Sequence, residues 1–448
     1  MIDLIINVGF ELFQIICVIT LGSYFIIRTG PFNRVLGSVG SIRDKFLLIL
    51  FFGMLSIYGT MSNIVLFGSP ANVRDLGPIC AGLTFGPWIG IGSAIIGATF
   101  RYSLGGITVI PCTLTTLISG LLAGFVWIIN KKRVIGKLSA IFFILCIEII
   151  HFGLILFIAG DGPEVMSILE NMWVIMLPLY IIGILIYSLV FQNYITEVKN
   201  REELERKQVE LMSAQEIQKS FLPDLAPVVP GYSIYAQTIS AREVGGDFYD
   251  YISFDDDRFG FVIADVSGKS VPAALFMALS CTMVRVSSQW VQRPDLAAEQ
   301  VNKLIARYAD SGMFFSMFYG VITPKDGVVN YVNAGHPPPI IFREKGSFDE
   351  IHLTGSIIGF MEHQVFREAT FTLFRGDLLL SYTDGVTEAR RSDGEMFGKE
   401  RLYNVVDKNR SKSAKEIVDI IMGEIRAFVD EEPQYDDITL LTIKREEP

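Results

Sequence analysis

Cysteine is scarce in this sequence of 448 residues, and the spacing of the few cysteines argues against two kinds of site. None belongs to a Cys-x-x-Cys pair, and four of the five lie in apolar stretches; they are Cys17, Cys80, Cys112, Cys146 and Cys281. Buried, unreactive thiols fit this pattern best. The sequence therefore predicts neither a zinc site nor a disulfide framework.

Charge is nearly absent from the first part of the chain. Only 18 of the first 192 residues are charged, with a net charge of +2, whereas residues 193–448 carry a net charge of −12. This division predicts a membrane domain followed by an acidic soluble domain. The first apolar run lacks a basic start and carries Glu11, which does not fit a signal peptide. An acidic soluble part also argues against nucleic acid as a partner, because phosphate binding needs clustered Lys and Arg.

Five apolar runs are long enough to cross a hydrocarbon layer of about 30 Å. They lie at about 4–27, 46–67, 107–129, 138–160 and 172–192. A sixth run, 76–100, is rich in glycine and is interrupted by Pro78 and Pro87, so it could be a span, a re-entrant pair or a broken helix. Placing the basic loops 28–45 and 130–137 in the cytoplasm leaves no net crossing for this run. We therefore predict five spans with the N-terminus outside, and six spans are the alternative.

The glycine-rich run also carries a recognisable motif. The stretch "NVRDLGPICAGLTFGPWIGIGSAIIGATFRYSLGG" (72–106), followed by "ISGLLAGFVW" (118–127), resembles the LytS-type five-transmembrane receptor domain. The resemblance extends over about residues 3–192. It implies a sensor domain that binds a small ligand of unknown identity.

Polar and ionisable residues in this apolar context are the candidates for ligand binding, because such groups are costly inside a membrane. Asn72, Arg74 and Arg101 stand at the ends of the glycine-rich run, where they could bind an anionic or polar ligand. Anchoring at the membrane interface is the alternative. Glu148 and His151 lie one helical turn apart, either as a structural pair or as a pair that senses protons or contacts the ligand.

Residues 193–222 contain neither glycine nor proline and are rich in alternating charges, which predicts a solvated helix. Its apolar residues recur at roughly heptad-like intervals; they are Val198, Leu204, Leu211, Ala214, Ile217 and Phe221. We predict that this linker pairs with its twin in a homodimer. A single helix docked on the following domain is the alternative.

The soluble part, 223–448, alternates short β-like runs with a few helical stretches. The runs are "YSIYAQTI", "FGFVIADV", "MFYGVIT", "GVVNYVNA", "PPIIF", "ATFTLF", "DLLLSYT" and "DDITLLTIK", and helices are expected at about 271–288, 294–310, 399–406 and 413–430. Many strands with few helices predict an α+β sandwich of two β-sheets flanked by helices. The whole chain is thus predicted as an α-helical transmembrane bundle (1–192), a helical linker (193–222) and this sandwich.

Acidic residues stand at the ends of several predicted strands. Asp247 follows a glycine pair, Asp265 ends "FVIAD", Asp384 follows "LLLSYT", and Asp436 and Asp437 precede "ITLLTIK". Taken singly, each is a common turn or cap. Carboxylates at strand ends can converge on one sheet edge, and oxygen ligands suit Mg²⁺ or Mn²⁺. Two such ions about 3.5–4 Å apart can activate a water and clamp a phosphoryl group.

In order along the chain, five motifs resemble the SpoIIE/RsbU-type branch of the metal-dependent (PPM, or type 2C) protein phosphatases. They are "VGGDFYD", "ADVSGKSVPAAL", "VNAGHPPPII", "SYTDGVTEA" and "YDDITLLTI", preceded by the lead-in "AQEIQKSFLP". The resemblance implies a phosphatase with two divalent cations, Mn²⁺ or Mg²⁺. The implied metal ligands, which are also the catalytic residues, are Asp247, Asp265, Asp384 and Asp436, with the backbone carbonyl of Val266.

Three further residues are implied as supporting groups: Asp437, Asp250 as a residue behind the ligands or a turn cap, and Arg242 as a phosphate-binding or plain surface arginine. His336, in a tight turn before three prolines, is interpreted as structural. The resemblance further implies a phosphoserine substrate on a STAS-domain anti-anti-sigma factor. It also implies a location in the bacterial inner membrane, with the phosphatase domain in the cytoplasm. A catalytically silent scaffold and a transporter with a regulatory domain are the competing hypotheses.

Overall fold

The computed structural model describes residues 2–37, 39–61, 65–66, 69–70, 72–254, 257–308 and 312–446. By internal contacts it divides into two compact units, Met1–Leu204 and Glu205–Pro448. The predicted linker, 193–222, falls on both sides of this division.

The N-terminal unit is helical, because backbone polar groups at membrane depth must be satisfied within their own segment. Its helices are α1 (Ile2–Ile26), α2 (Gly30–Leu36), α3 (Ile42–Thr60), α4 (Leu76–Phe85), α5 (Pro87–Ser103), α6 (Val109–Ile129), α7 (Lys137–Ala159) and α8 (Pro163–Lys219), and it contains the short antiparallel strands β1 (Val65–Leu66) and β2 (Ser69–Pro70). Helix α8 therefore includes both the last apolar run and almost all of the predicted linker.

One predicted membrane segment differs from the structure, and the glycine-rich run is a broken helix, one of its predicted forms. The span predicted at 46–67 is helical only to Thr60, and β1 and β2 follow it, so the prediction of a helix through residue 67 is wrong; residues 62–64 and 67–68 lie outside the described residues. The glycine-rich run 76–100 forms two helices, α4 and α5, separated at Gly86 with φ +91°. Only glycine adopts this conformation without strain, so the helix breaks there.

Helices α4, α5 and α6 approach one another almost at backbone contact. A Cβ atom added to Gly82 on α4 would lie 2.7 Å from the carbonyl oxygen of Gly120 on α6. The glycines of the predicted receptor motif therefore allow close helix packing. This packing brings the start of α6 next to the residues that precede α4.

The C-terminal unit is built from two antiparallel five-stranded sheets. Its strands are β3 (Tyr232–Ile239), β4 (Phe248–Ser253), β5 (Phe259–Val266), β6 (Phe315–Thr323), β7 (Val328–Ala334), β8 (Ile340–Phe342), β9 (Phe348–Glu350), β10 (Ala369–Thr372), β11 (Leu378–Tyr382) and β12 (Ile438–Arg445). The first sheet has the order β10-β7-β6-β5-β4 and the second β3-β12-β11-β8-β9. The helices are α9 (Ser270–Trp290), α10 (Pro294–Tyr308), α11 (Asp384–Glu388), α12 (Gly398–Lys408) and α13 (Ala414–Val429).

The hydrophobic core of this unit lies in three layers, because strand side chains alternate between the two faces of a sheet. Phe261, Ile263 and Leu441 belong to the layer between the two sheets. The outer face of the first sheet packs against α9 and α10, and the outer face of the second sheet packs against α12 and α13. The predicted two-sheet sandwich flanked by helices is therefore confirmed.

The predicted strands and helices of the sandwich all appear within one to a few residues of their expected bounds, apart from 309–310, which lie outside the described residues. Strands β4 and β9 and the short helix α11 were not predicted as elements. Strand β4 has the sequence "FYDYIS", in which an aspartate interrupts the aromatic residues. Its buried residues, Phe248, Asp250 and Ile252, alternate with half-buried or exposed ones.

Four helices of the described residues are long and apolar enough to cross a membrane: α6, α7, α8 from Trp173 onward, and α9. A fifth arises if Phe13–Ile26 and Gly30–Leu36, bent by 79°, count as one span. Helix α9 instead packs on the first sheet of the C-terminal unit. The candidates in the N-terminal unit agree with a membrane domain, while the number of five spans stays a prediction.

Candidate active site

Strand pairing brings the acidic strand ends together in each sheet. In the first sheet, Phe248 pairs with Ala264, so the next residues, Asp247 and Asp265, lie opposite each other. In the second sheet, β11 and β12 are antiparallel neighbours, so Asp384 after β11 and Asp436 before β12 lie at the same end. The two ends face one another across the sandwich, because Thr383 of the second sheet donates a hydrogen bond of 2.7 Å to Asp247 of the first.

Asp247 is buried and is held by two threonine hydroxyls that the sequence did not indicate. Thr383 Oγ1 and Thr439 Oγ1 lie 2.7 and 2.6 Å from Asp247 Oδ2. Both threonines are fully buried, and the carboxylate of Asp247 is 5% exposed. Burial, followed by repulsion from Asp265 and Asp437, raises the pKa of Asp247 well above its usual range. The only signal in the sequence was the position of Thr383 directly before Asp384.

Asp265 and Asp384 belong to the same electrostatic cluster. Burial and the nearby charge of Asp384 raise the pKa of Asp265. Burial also raises the pKa of Asp384, with further contributions from Glu388 and Asp436. Carboxylates that repel one another in a partly buried site bind protons or cations more readily than isolated carboxylates do.

Asp437 anchors the loop that carries Asp247. Its Oδ1 accepts the backbone N–H of Ala241 at 2.7 Å, and its Oδ2 accepts that of Gly246 at 2.6 Å. A longer contact of 3.4 Å joins the same Oδ2 to the backbone N–H of Asp247. Asp437 therefore fixes the main chain beside the other acids, which is a supporting position.

The glycine pair before Asp247 is required by close approach of the main chain. A Cβ atom on Gly246 would lie 2.9 Å from the carbonyl oxygen of Val266, and one on Gly245 would collide with the Asp437 carboxylate. Neither glycine has a positive φ. The Val266 carbonyl, predicted as a metal ligand, thus lies against the main chain next to Asp247. Gly245 also exchanges two hydrogen bonds with Gln218 at the end of α8, of 2.5 and 3.1 Å.

Cations border the acidic cluster. Lys269 Nζ lies 2.8 Å from Asp436 Oδ2 and 2.9 Å from the carbonyl oxygen of Tyr435. Arg242 is exposed and donates a hydrogen bond of 2.8 Å to Ser270 Oγ, at the first residue of α9. The sequence did not indicate Lys269, since its neighbour Asp436 is distant in the chain.

Asp250 and His336 make contacts of a structural kind. Asp250 is buried and accepts a hydrogen bond of 2.7 Å from Arg285 Nε on α9 and one of 2.8 Å from the backbone N–H of Tyr251. His336 is buried and its Nδ1 lies 2.8 Å from Ser316 Oγ. Burial lowers the pKa of His336 to about 3, so its imidazole is neutral at physiological pH.

The oxygen donors of the acidic cluster suit divalent cations, although the side chains are not arranged around one ion. Within the described residues, no group of three or more His, Cys, Asp or Glu side chains is arranged to hold a metal ion. Asp247 Oδ2 instead accepts hydrogen bonds from two threonines, and Asp436 pairs with Lys269. Aspartate carboxylates and the Val266 carbonyl nevertheless form the all-oxygen set that Mg²⁺ and Mn²⁺ prefer, and a cation would relieve the repulsion between Asp247 and Asp265.

The N-terminal unit contains a second polar cluster, centred on Arg74. This arginine is 2% exposed and donates hydrogen bonds to Asn72 Oδ1 at 2.8 Å and to Thr116 Oγ1 on α6 at 2.9 Å. Thr116 in turn donates to Asp75 Oδ1 at 2.6 Å, and Tyr180 on α8 lies 3.2 Å from the carbonyl oxygen of Asn72. Asn72 and Arg74 therefore lie inside the helix bundle, which excludes simple interfacial anchoring.

Arg101, Glu148 and His151 lie at the same end of α6. Arg101 is fully buried and donates to the carbonyl oxygen of Gly105 at 2.8 Å, but its Nε has no hydrogen-bond partner among the described residues. His151 Nδ1 is 3.7 Å from Glu148, and its Nε2 is 3.5 Å from Cys112 Sγ. Cys112 also accepts a hydrogen bond of 3.3 Å from Arg74 through its carbonyl oxygen. Cys112 therefore contacts both Arg74 and His151, although the apolar sequence around it suggested an inert thiol.

Two family models match separate parts of the chain. The model of stage II sporulation protein E (SpoIIE) matches residues 255–446. The model of the five-transmembrane receptor domain of the LytS type (5TM-5TMR_LYT) matches residues 29–194. The first range contains Asp265, Asp384, Asp436 and Asp437 but begins after Asp247 and its motif, and the second contains the whole Arg74 cluster.

Similar proteins include both curated relatives and a solved structure. The chain is 33% identical to protein IcfG of Synechocystis sp. over 293 residues, which cover 59% of this chain and 46% of IcfG. It is 25% identical to phosphoserine phosphatase RsbU of Bacillus subtilis over 260 residues, which cover 58% of this chain and 76% of RsbU. The chain thus spans about half the length of IcfG.

The SiaA-PP2C domain of Pseudomonas aeruginosa has the same fold as the C-terminal unit. It superposes with a TM-score of 0.50 at 19% identity, covering 54% of this chain and 98% of that domain. The two-sheet sandwich, the acidic strand ends and both family models lead to one assignment. Residues 255–446 form a SpoIIE-type domain with the fold of the PP2C phosphatases, and residues 29–194 form a LytS-type five-transmembrane receptor domain.

Proposed function

We propose that this protein is a membrane-bound, signal-regulated protein serine/threonine phosphatase that hydrolyses a phosphoserine with the help of two divalent cations. The observation that carries the proposal is the pair Asp247 and Asp265. These acids lie opposite each other at adjacent strand ends, are largely buried, and have raised pKa values because of burial and mutual repulsion. Two carboxylates that repel each other are costly unless a proton or a cation neutralises them, and such pairs are typical of functional sites.

The residues that would hold Mn²⁺ or Mg²⁺ are Asp247, Asp265, Asp384, Asp436 and the Val266 carbonyl. When bound, these cations supply an activated water and neutralise the charge of the phosphoryl group. Four neighbouring side chains act on these ligands or on the loop that carries them, namely Thr383, Thr439, Asp437 and Lys269.

Thr383 and Thr439 orient the Asp247 carboxylate, and Asp437 fixes the loop that precedes it. Lys269 holds one oxygen of Asp436 and reduces the negative charge that an incoming phosphate meets. Arg242 stands at the rim of the site as a candidate phosphate contact.

The substrate we propose is a phosphoserine on a STAS-domain anti-anti-sigma factor. The support is similarity to RsbU of Bacillus subtilis, which carries the name phosphoserine phosphatase. In such a partner-switching pathway, dephosphorylation of the small protein changes which partner it binds.

The membrane unit is proposed to bind a small anionic ligand at the Arg74–Arg101 end of α6. The positive charges of two buried arginines are only partly compensated there. Asp75 lies 3.5 Å from Arg74, and the Nε of Arg101 has no hydrogen-bond partner among the described residues. Buried charge without full pairing is costly, and an anionic ligand would relieve it. Asn72, Glu148 and His151 would complete the site.

The arrangement we propose places the protein in the bacterial inner membrane, with the phosphatase domain in the cytoplasm and α8 as a homodimer contact. Helix α8 supports the dimer because several of its apolar residues are more than 60% exposed; they include Leu204, Val209, Met212 and Ile217. A cysteine placed at Leu204 or at Leu211 should form an intermolecular disulfide in membranes. A lack of cross-linking at both positions would argue for a monomer.

The decisive experiment removes one predicted ligand without changing its shape. Asp384→Asn should abolish Mn²⁺-dependent release of phosphate by the full-length protein, both from p-nitrophenyl phosphate and from phosphoserine peptides. Asp419→Asn, an exposed position on α13, serves as the matched control and should keep the wild-type rate. Retained activity in the Asp384 variant would refute the metal assignment, and an inactive wild-type protein would refute the proposed activity.

A further inference from the structure

An aromatic ring holds two cations at the rim of the active site. Tyr435 directly precedes the predicted ligand Asp436, and its side chain is 53% exposed. Lys269 Nζ lies 4.2 Å from the centre of this ring, and Arg390 Cζ lies 4.6 Å from it. Cations at such distances are attracted by the ring quadrupole and are held in place.

The two cations differ in what else they contact. Lys269 is already engaged with Asp436 and with the carbonyl oxygen of Tyr435. Arg390 is exposed, and its guanidinium makes neither a hydrogen bond nor an ion pair with the residues that the structure describes. Its neighbour Arg391, in contrast, is paired with Asp393 and Glu395. Arg390 is therefore a positioned guanidinium with its donors free for a partner outside the chain.

A cleft extends from this rim along the second sheet. It has a volume of about 210 Å³, and its lining includes Arg390, Tyr435 and Asp436, Met422 and Ile425 of α13, and the acidic residues Asp430 and Glu432. A phosphate group alone needs only the acidic cluster and its cations. The cleft gives room for residues that flank a phosphorylated side chain in a protein substrate.

We propose that Arg390, held against Tyr435, binds an acidic side chain next to the phosphoserine of the substrate protein, and so makes the enzyme selective for phosphoserine in an acidic context. The proposal rests on the proposed phosphatase function. The local charge supports it: Arg390 is a cation at the rim of a site in a region, 193–448, whose net charge of −12 otherwise repels acidic peptides. A local guanidinium is what allows such a segment to approach, and it pairs with a carboxylate through two parallel hydrogen bonds.

The test compares two phosphoserine peptides on the full-length protein with Mn²⁺. One peptide carries Glu on both sides of the phosphoserine, and the other carries Gln at those positions. We expect kcat/KM of the wild type to be about tenfold higher for the acidic peptide, the size expected for a charge-assisted hydrogen bond. Arg390→Gln should bring this ratio close to one, mainly through KM.

Two further variants separate positioning from general damage. Arg391→Gln makes the same chemical change one residue along the chain, where the arginine is already paired, and should keep the ratio of the wild type. Tyr435→Phe retains the ring and should also keep the ratio, whereas Tyr435→Leu should lower it because Arg390 loses its support.

Each outcome of these measurements either supports the inference or overturns it. An unchanged ratio in Arg390→Gln, or a wild type that hydrolyses both peptides equally, overturns the inference and leaves the phosphatase function intact. An equal loss on both peptides and on p-nitrophenyl phosphate means that Arg390 contacts the phosphate itself, which also overturns it. A wild type that hydrolyses none of the three substrates refutes the proposed function, and the inference with it.

Discussion

The two threonines that hold Asp247 allow a quantitative test of the metal site. Thr383→Val and Thr439→Val each remove one hydroxyl donor while keeping the shape of the side chain. Both hydroxyls and their acceptor are buried, so water cannot replace the lost bond. A hydrogen bond to a charged group contributes about 1.5–3 kcal/mol. Each substitution should therefore disfavour the ionised form of Asp247 and raise the Kd for Mn²⁺ about 10- to 100-fold.

A third threonine, on the same strand as Thr439, provides the control. Thr442 is also fully buried, but its hydroxyl has no hydrogen-bond partner among the described residues. Thr442→Val should leave Mn²⁺ affinity within about twofold of the wild type, because it removes an unsatisfied polar group. Affinity is measured by calorimetry on EDTA-treated protein, with circular dichroism to check folding. Unchanged Mn²⁺ affinity in both Thr383→Val and Thr439→Val would refute the role of these hydroxyls, as would an equal loss in Thr442→Val.

Two further predictions concern the same cluster. Because the pKa values of Asp247 and Asp265 are raised, the folded metal-free protein holds protons that the unfolded chain releases above about pH 4. The Tm of the protein in EDTA should thus fall from pH 5 to pH 8, and Mn²⁺ should raise Tm more at pH 8 than at pH 5. A Tm that rises with pH in EDTA would contradict this. Gly246→Ala should lower Mn²⁺-dependent activity at least about tenfold, since its Cβ would press on the Val266 carbonyl. Gly423→Ala, on a helix with open space around it, should keep activity and stabilise by about 0.5–1 kcal/mol, as thermal unfolding would show.

Local patterns were sufficient to predict most elements of the C-terminal unit. The strand "FGFVIADV" is buried along nearly its whole length, as its apolar sequence indicates. Helix α13 begins with a capping box in which Ser413 and Glu416 satisfy each other's backbone N–H groups, and this signal is local to four residues. The acids at strand ends could likewise be found, because each one follows or precedes a recognisable strand.

The contacts that tune the site could not be predicted from local patterns. Thr383 and Thr439 meet Asp247 across 136 and 192 residues of chain, and nothing in their own neighbourhoods distinguishes them from other threonines of a strand. The same is true of Lys269 beside Asp436. The predicted helix through residue 67 failed for a related reason: apolar composition fits a strand as well as a helix, and hydropathy alone does not locate the end of the helix at Thr60.

The position of β12 has a consequence for synthesis. This strand lies in the interior of the second sheet, between β3 and β11, and pairs with β3 across about 200 residues. A ribosome delivers the chain from the N-terminus, so Asp436, Asp437 and Thr439 emerge after every other group of the acidic cluster. The membrane helices can therefore enter the bilayer while the enzyme is still incapable of reaction. A chain that ends before β12 lacks Asp436, Asp437 and Thr439, so we expect it to keep the membrane helices and to have no phosphatase activity.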